Sequence, residues 1–238
     1  MTEIGLEGLE VGDVRVLLGS LIGEAHLPGH LQERILDLAE GNPFYLEELV
    51  ASLFEEGAPD LTHGVAVPET VEKVVQARID RLERRSRDLL NAASVLGRSF
   101  GLPLLQGVVG ADGVQVDDLQ GLLRPGLLIE VRRWPQAEFV FRHALIQEAA
   151  QLSLPEERRR LLHRRAAEWL EQRHGRNADE VMSQLARHWA AAGEEERATT
   201  ALGRAGDLAR RDHALDEAVA HYRTLLPLLE RRGDSGAV

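Results

Sequence analysis

The chain of 238 residues contains no cysteine, which excludes disulfides, thiolate metal sites and thiol nucleophiles. Its first residues, MTEIGLEGLE, lack a basic segment followed by an apolar one, so they do not have the pattern of a signal peptide. No apolar run approaches the roughly 20 residues that span a bilayer. These absences predict a cytoplasmic protein without a membrane partner.

Lysine occurs only once, as Lys73 in a helical pattern. A phosphate-binding loop needs glycines followed by Lys-Ser or Lys-Thr, because the lysine neutralises phosphate oxygens. No glycine-rich stretch precedes Lys73, and no aliphatic run ends in an acid pair suited to magnesium. A Gly-x-Ser-x-Gly nucleophile elbow is also missing. The sequence therefore predicts a chain that is not an enzyme and holds no cofactor alone.

Histidines and carboxylates are frequent, but they form no motif for metal binding or acid–base catalysis. His26 and His30 have the spacing of a helical pair, yet Pro28 interrupts the helix between them. Adjacent acids such as Glu47 and Glu48 point about 100° apart on a helix and do not converge. We therefore expect no metal site and no pair of catalytic carboxylates.

Aromatic residues make up only 4% of the chain, whereas hydrophobic residues make up 44%. This balance predicts a mainly α protein with an aliphatic core. The net charge of −11 opposes nucleic-acid binding unless a local basic surface outweighs it.

Apolar spacing predicts three helices within residues 1–57, which we interpret as one helical unit. Gly41 is expected to end the second helix in a left-handed conformation. Asn42 is expected to cap the third helix and Pro43 to occupy its first position. The sequence GAPDLTHGVAVP, at 57–68, has the composition of a linker.

Residues 66–143 combine helical patterns with two short β-rich runs, LLIEVRR and EFVFR, separated by WPQA. This order predicts a winged helix with one small β-hairpin. The wing tip, Arg132-Arg133-Trp134, is suited to phosphate contacts.

The third helix of this domain, expected at about 114–124, exposes Asp117 and Asp118, which would face phosphates unfavourably. A protein-packing role is therefore favoured, and DNA binding through Arg132 and Arg133 stays open as the alternative.

Residues 144–238 are predicted to form four or five further helices. Small residues recur at close-packing positions, in the pairs Ala186 and Ala190, Ala198 and Ala201, Ala205 and Ala209, and Ala214 and Ala218. Antiparallel helix pairs with alanine contacts are typical of a tetratricopeptide-like solenoid. Because such arrays need about three repeats, we expect the chain to be cut from a longer protein or capped early.

Five phrases follow one another along the chain: AEGNPFYLEELV, VPETVEKVVQARIDRLERRSRDLLNAASVLGRSF, FVFRHALIQEAA, LLHRRAAEWLE and LARHWAAAG. Together they resemble the region downstream of the nucleotide-binding core in STAND-type signal-transduction ATPases. More narrowly, they resemble the AAA-type ATPase module of large bacterial transcriptional regulators and of proteins with adenylate or guanylate cyclase domains. The resemblance extends from about residue 4 to about residue 230.

The resemblance implies a lid in 1–57, a winged helix in 66–143 and the start of a helical-repeat sensor in 144–238. The core that binds ATP or ADP would precede Met1 and would be the main partner, while a protein or small-molecule effector would bind the repeats. The chain would then be the non-catalytic regulatory portion of a nucleotide-controlled switch. A DNA-binding regulator and a protein-binding helical scaffold are the alternative functions.

The same resemblance implies nucleotide-contacting residues. Pro43 would lie near the base, with Asn42 supporting its turn, and His143 would contact the β-phosphate of ADP. Arg142 would serve either the phosphate or a nearby carboxylate. The alternatives are a plain helix–helix turn at Pro43 and a strand-to-helix cap at His143. An acid follows the histidine in many relatives, whereas this chain has Ala144.

Overall fold

The computed structural model of the chain describes residues 8–23, 27–54, 70–110, 114–133 and 135–233. Within these ranges the chain is mainly α, as its composition predicts, with one small antiparallel sheet. The predicted linker at 57–68 and Trp134 of the predicted wing tip lie outside the described residues. No described helix combines the length and apolar character needed to cross a bilayer.

Three helices form the first unit: α1 (Val11–Ile22), α2 (Gly29–Ala39) and α3 (Pro43–Phe54). Their apolar faces share one core, to which Val74 of the following region also contributes. Ile35, Leu46 and Leu49 lie at its centre and are almost fully buried. The three helices thus pack on one another rather than lying separately, and the bounds 1–57 of the unit stay a prediction.

The turn between α2 and α3 has the conformation that its sequence predicts. Glu40 and Gly41 adopt positive φ angles of 46° and 77°. A Cβ atom at Gly41 would lie 2.7 Å from the carbonyl oxygen of Leu9, so a side chain does not fit there. The Asn42 side chain accepts a hydrogen bond of 3.2 Å from the backbone N–H of Tyr45, and α3 begins at Pro43.

The middle region contains both helices and strands. Its elements are α4 (Val71–Arg81), α5 (Arg84–Ser94), β1 (Ser99–Gly101), α6 (Leu102–Val109), a 3-10 helix (Val116–Leu119), α7 (Gln120–Leu123), β2 (Leu128–Arg132) and β3 (Glu138–Phe141). The sheet has the order β1-β3-β2, with both pairings antiparallel. The predicted β2–β3 hairpin is confirmed, and β1 is a third strand that the sequence pattern did not predict. The helix expected at 114–124 is instead a 3-10 helix followed by one α-helical turn.

The core of the middle region continues past β3 into the next two helices, α8 (Ala144–Leu152) and α9 (Glu156–His174). Ile146 and Ala150 of α8, and Leu162 of α9, pack in the same cluster as Phe139 and Phe141. The domain boundary after residue 143 stays a prediction, and no gap in the apolar core marks it.

The remaining helices are a 3-10 helix (Gly175–Val181), α10 (Met182–Ala192), α11 (Glu195–Arg211) and α12 (Leu215–Arg232). Consecutive helices are joined by short turns and pack side by side. Small side chains let them approach closely: Ala186, Ala198 and Ala205 are buried in their shared core.

Candidate functional site

The predicted site residues Arg142 and His143 form the turn between β3 and α8. The backbone N–H of Arg142 donates to the carbonyl oxygen of Leu127 at 3.1 Å, which fixes the turn against the start of β2. His143 occupies the N-cap position of α8 with an extended backbone, but its side chain makes no capping hydrogen bond. The imidazole instead contacts side chains of another helix, α3.

The imidazole of His143 packs on the first turn of α3. Its ring centroid lies 4.1 Å from that of Phe44, with an angle of 42° between the ring planes. Phe44 directly follows Pro43 and lies within the turn that Asn42 caps. The two predicted halves of the site therefore lie close together. Asn42-Pro43 is at the start of α3, and Arg142-His143 forms the turn that directly precedes α8.

Glu47, one turn further along α3, faces both Arg142 and His143. One of its carboxylate oxygens, Oε2, lies 3.4 Å from Nε2 of His143 and 3.8 Å from Nε of Arg142. This 3.4 Å contact with Glu47 is too long for a good hydrogen bond, and the buried Nε2 atom of His143 has no other partner among the described residues. A buried ring nitrogen with so weak a partner is a costly feature in a stable fold.

The electrostatic surroundings of His143 favour its neutral form. Burial is the largest influence and lowers the pKa of the imidazole, and the charge of Arg142 acts in the same direction. The charges of Glu48 and Glu47, together with the long hydrogen-bonding contact to Glu47, oppose this shift without reversing it. A neutral imidazole can donate from only one of its two nitrogens, so the tautomer decides which partner it serves.

A buried ion pair lies directly beside this site. Glu48 of α3 and Arg78 of α4 form a salt bridge in which each side chain is only 2% exposed. Arg78 also donates to the carbonyl oxygen of Pro125, just before β2. This bridge links the first helical unit to the middle region, at a cavity of about 320 Å³ whose lining includes Arg124 and Arg142.

The basic residues of the hairpin are each accompanied by an acid. Arg132 is hydrogen-bonded to Glu138, and Nε of Arg133 lies 3.5 Å from Oε1 of Glu130. These pairings reduce the positive charge that the wing can offer to DNA phosphates.

Asp118 has a structural role in the segment that was expected to be the third helix of a winged helix. It accepts a 2.6 Å hydrogen bond from the backbone N–H of Gln115 and pairs with Arg85 at 2.7 Å. Asp117 is exposed, as expected, but Asp118 is half-buried.

No group of three or more histidines, aspartates and glutamates in the described part of the chain could hold a metal ion.

Sequence patterns did not identify four side chains that shape the site: Phe44, Glu47, Glu48 and Arg78. The aromatic pair after Pro43 and the adjacent acids of α3 are recognisable in the sequence. The two acids point in different directions, as helical geometry requires. Glu47 faces His143, whereas Glu48 faces Arg78. Nothing in the sequence singles out Arg78 from the other arginines, because its partners come from distant parts of the chain.

No protein-family model matches the chain. An uncharacterised protein of Rhizobium meliloti (strain 1021) is 26% identical over 248 residues, which cover 98% of this chain and 24% of that protein. The chain thus spans about a quarter of the length of this curated relative.

Among solved structures, the chain aligns with a Signal Transduction ATPase with Numerous Domains (STAND) protein with a tetratricopeptide repeat sensor from Pyrococcus horikoshii. The alignment covers 98% of this chain and 43% of that one, with 13% identity and a TM-score of 0.49. Neither this similarity nor that to the Rhizobium protein assigns the chain to a family.

Proposed function

We propose that this chain is the regulatory, non-catalytic portion of a STAND-type ATPase switch, which packs against a nucleotide-binding core and relays effector binding. The order of the five sequence phrases supports the class of protein. The contact between Phe44 and His143 is the observation that carries the proposal, because it joins the two predicted nucleotide-contacting segments.

The residues at this site fit an adenine nucleotide whose phosphates are gripped mainly by the core. Pro43 would offer an apolar ring without a backbone donor, and the N-terminus of α3 would favour negative charge. The buried Nε2 atom of His143 has only its long contact with Glu47, which suits its exchange for a phosphate oxygen as acceptor. Arg142 would add positive charge at the same turn.

Glu47 opposes nucleotide binding in the present arrangement, because its carboxylate lies where it would repel a phosphate near His143. In the proposed switch, His143 exchanges Glu47 for the phosphate when the core closes on ADP. This exchange gives the nucleotide different affinities for two arrangements of the chain, which any coupling between sites requires.

The Glu48–Arg78–Pro125 bridge supports a further part of the proposal. It fixes α3 to the segment that precedes β2, so a nucleotide that moves α3 would also bear on the middle region. An effector bound to the helices after residue 144 would act on the same region from its other side, through α8 and α9.

DNA binding through Arg132 and Arg133 finds no specific support, since both guanidinium groups have a carboxylate beside them.

The experiment is to join the chain to the nucleotide-binding core that the proposal requires, taken from the same gene, and to measure ADP affinity by calorimetry. Replacement by alanine of His143 or Pro43 is expected to weaken ADP binding about tenfold or more, since each loses a direct contact. His30→Ala, at an exposed position on α2, serves as the matched control. If His143→Ala and Pro43→Ala leave the affinity unchanged, the proposed site is wrong.

A further inference from the structure

A second cavity lies between the middle region and the later helices, away from the site at α3. Its volume is about 570 Å³, and its lining includes Arg98, Ser99 and Glu138 on one side and Gln184 and Arg187 of α10 on the other. The turn that enters it contains Gly97, whose φ of 130° is unfavourable for any other residue.

Arg187 makes all its hydrogen bonds to neutral groups. Nη2 donates to the carbonyl oxygen of Leu96 at 2.6 Å and to Nε2 of His188 at 3.1 Å, and Nη1 donates to the carbonyl oxygen of Val95 at 3.4 Å. A guanidinium has five N–H groups, so the Nε–H and one Nη1–H have no acceptor among the described residues. Arg187 therefore retains unused donors at the cavity wall.

The charge of Arg187 is also incompletely balanced. No carboxylate of the described chain lies within 4 Å of its guanidinium, which stays protonated. The carbonyls of Val95 and Leu96, which follow α5, compensate part of the charge as the negative end of a helix does. The remaining charge makes an oxyanion the natural complement of this wall.

Arg98 adds a second cation to the cavity lining, next to the Leu96–Gly97 turn that Arg187 contacts. Its side chain is exposed and forms no ion pair with any residue in the described ranges. Glu138 is the one carboxylate in the lining that the structure describes, and it is already paired with Arg132. The cavity thus has two guanidinium groups, a hydroxyl and an amide facing a single acid that is otherwise engaged.

We propose that this cavity binds a small oxyanionic ligand, with Arg98 and Arg187 as its charged contacts and Ser99 and Gln184 as polar ones. The chemistry shared by the possible ligands is a compact group of carboxylate or phosphate oxygens. Because Arg98 belongs to the middle region and Arg187 to α10, the ligand bridges the two. The proposal does not depend on the nucleotide switch, although within that switch the ligand would have the position of an effector.

The test uses the purified chain and two probes, sodium citrate and sodium pyrophosphate, at an ionic strength kept constant with sodium chloride. Calorimetry is expected to show saturable binding of at least one probe. Tighter binding of citrate would identify a carboxylate ligand, and tighter binding of pyrophosphate a phosphate ligand. In NMR spectra, the side-chain Nε–H signals of Arg98 and Arg187 are expected to shift with the same saturation curve.

Three variants make the test specific. Arg98→Gln is expected to weaken binding about tenfold or more, because it removes one charge-assisted contact without removing a bond within the protein. Arg187→Gln should weaken it at least as much, and circular dichroism checks that the loss of its bonds to Leu96 and His188 leaves the helices intact. Arg160→Gln, at an exposed arginine paired with Glu156, is the matched control and should bind normally.

The proposal is overturned by the absence of saturable binding of either probe up to about 10 mM, a concentration well above that of a useful metabolite site. It is equally overturned by binding that Arg98→Gln leaves unchanged, because the ligand would then lie elsewhere. Loss of binding in these variants bears only on this cavity, since Pro43 and His143 remain intact in both.

Discussion

The ring of Phe44 and the imidazole of His143 lie 4.1 Å apart, centroid to centroid, and join the start of α3 to the start of α8. Aromatic contacts of this kind contribute about 0.5–1.5 kcal/mol beyond the area they bury. The contact brings a helix N-terminus, an imidazole and the guanidinium of Arg142 to one surface. Glu47 faces the last two groups, and its carboxylate disfavours an anion there.

Replacing Glu47 by glutamine is therefore expected to increase the ADP affinity of the chain joined to its core. A unit charge about 4 Å from a phosphate costs about 1 kcal/mol even in high dielectric, so we expect a gain of about fivefold or more. Glu33→Gln, at an exposed glutamate paired with Arg15, is the control and should leave the affinity unchanged. A decrease with Glu47→Gln would show that the carboxylate assists binding by orienting His143.

Removing either partner of the buried pair of Glu48 and Arg78 is expected to destabilise the fold strongly. Removing one partner leaves an uncompensated charge in the interior, which typically costs about 3–5 kcal/mol. Urea unfolding of Glu48→Gln or Arg78→Met should show a loss of that order. Arg15→Met, which breaks the exposed pair with Glu33, should cost less than about 1 kcal/mol. Equal losses in the buried and exposed pairs would contradict this expectation.

Two buried histidines join α9 to α10. The Nδ1 atoms of His163 and His188 lie 2.9 Å apart, and these residues are 3% and 0% exposed. Since Nε2 of His188 accepts from Arg187, its proton must be on Nδ1, which donates to Nδ1 of His163. In this arrangement the proton between the two Nδ1 atoms is on His188. A second proton, on Nδ1 of His163, would leave the first one without an acceptor, so both rings are neutral.

This pair predicts that the chain loses stability in mild acid. Burial, together with Arg187 and Arg159, lowers the pKa of His163 to about 4, and burial lowers that of His188 to about 2. The unfolded chain titrates near 6.5, so below that pH it binds more protons than the folded chain, and stability falls as the pH falls. Between pH 7 and pH 5 we expect a loss of roughly 2 kcal/mol for each histidine.

The measurement is urea unfolding across that pH range. His163→Gln should show a visibly smaller decrease in stability than the unmodified chain, because one titrating group is gone. His30→Gln, at an exposed position, should follow the unmodified chain. If His163→Gln has the same pH dependence as the unmodified chain, the buried pair is not the source of the acid sensitivity.

Gly107 of α6 and Trp169 of α9 form a close contact that a methyl group would disrupt. A Cβ atom at Gly107 would lie 1.9 Å from Cδ1 of Trp169, whereas one at Gly19 in α1 would meet nothing within 4 Å. We expect Gly107→Ala to destabilise the fold by about 1–3 kcal/mol through overpacking. Gly19→Ala should instead stabilise it by about 0.5–1 kcal/mol, because alanine favours the helix. Thermal unfolding should therefore give a lower midpoint temperature for Gly107→Ala and a higher one for Gly19→Ala than for the unmodified chain.

Most helices could be predicted from apolar spacing and from the residues that end them. The turn at Gly41, Asn42 and Pro43 is the clearest case, because a left-handed glycine, a capping amide and a helix-starting proline follow one another. These signals are local, so a single sequence contains them.

Features that depend on distant partners could not be predicted. Strand β1 has only three residues, and its extended conformation is set by pairing with β3 rather than by any alternation of its own. The Glu48–Arg78 bridge and the His163–His188 pair each join separate helices, and an arginine or histidine in such a pair has the same sequence surroundings as an exposed one. For the same reason, the sequence does not indicate that Arg98 and Arg187 line one cavity.

A crystal structure of the chain joined to its nucleotide-binding core, with ADP bound, tests the proposed switch most directly. We expect Nε2 of His143 to leave Glu47 and to lie within hydrogen-bonding distance, about 2.7–3.2 Å, of a phosphate oxygen, with Pro43 against the base. A structure in which His143 still faces Glu47, and in which ADP contacts neither His143 nor Pro43, would contradict it.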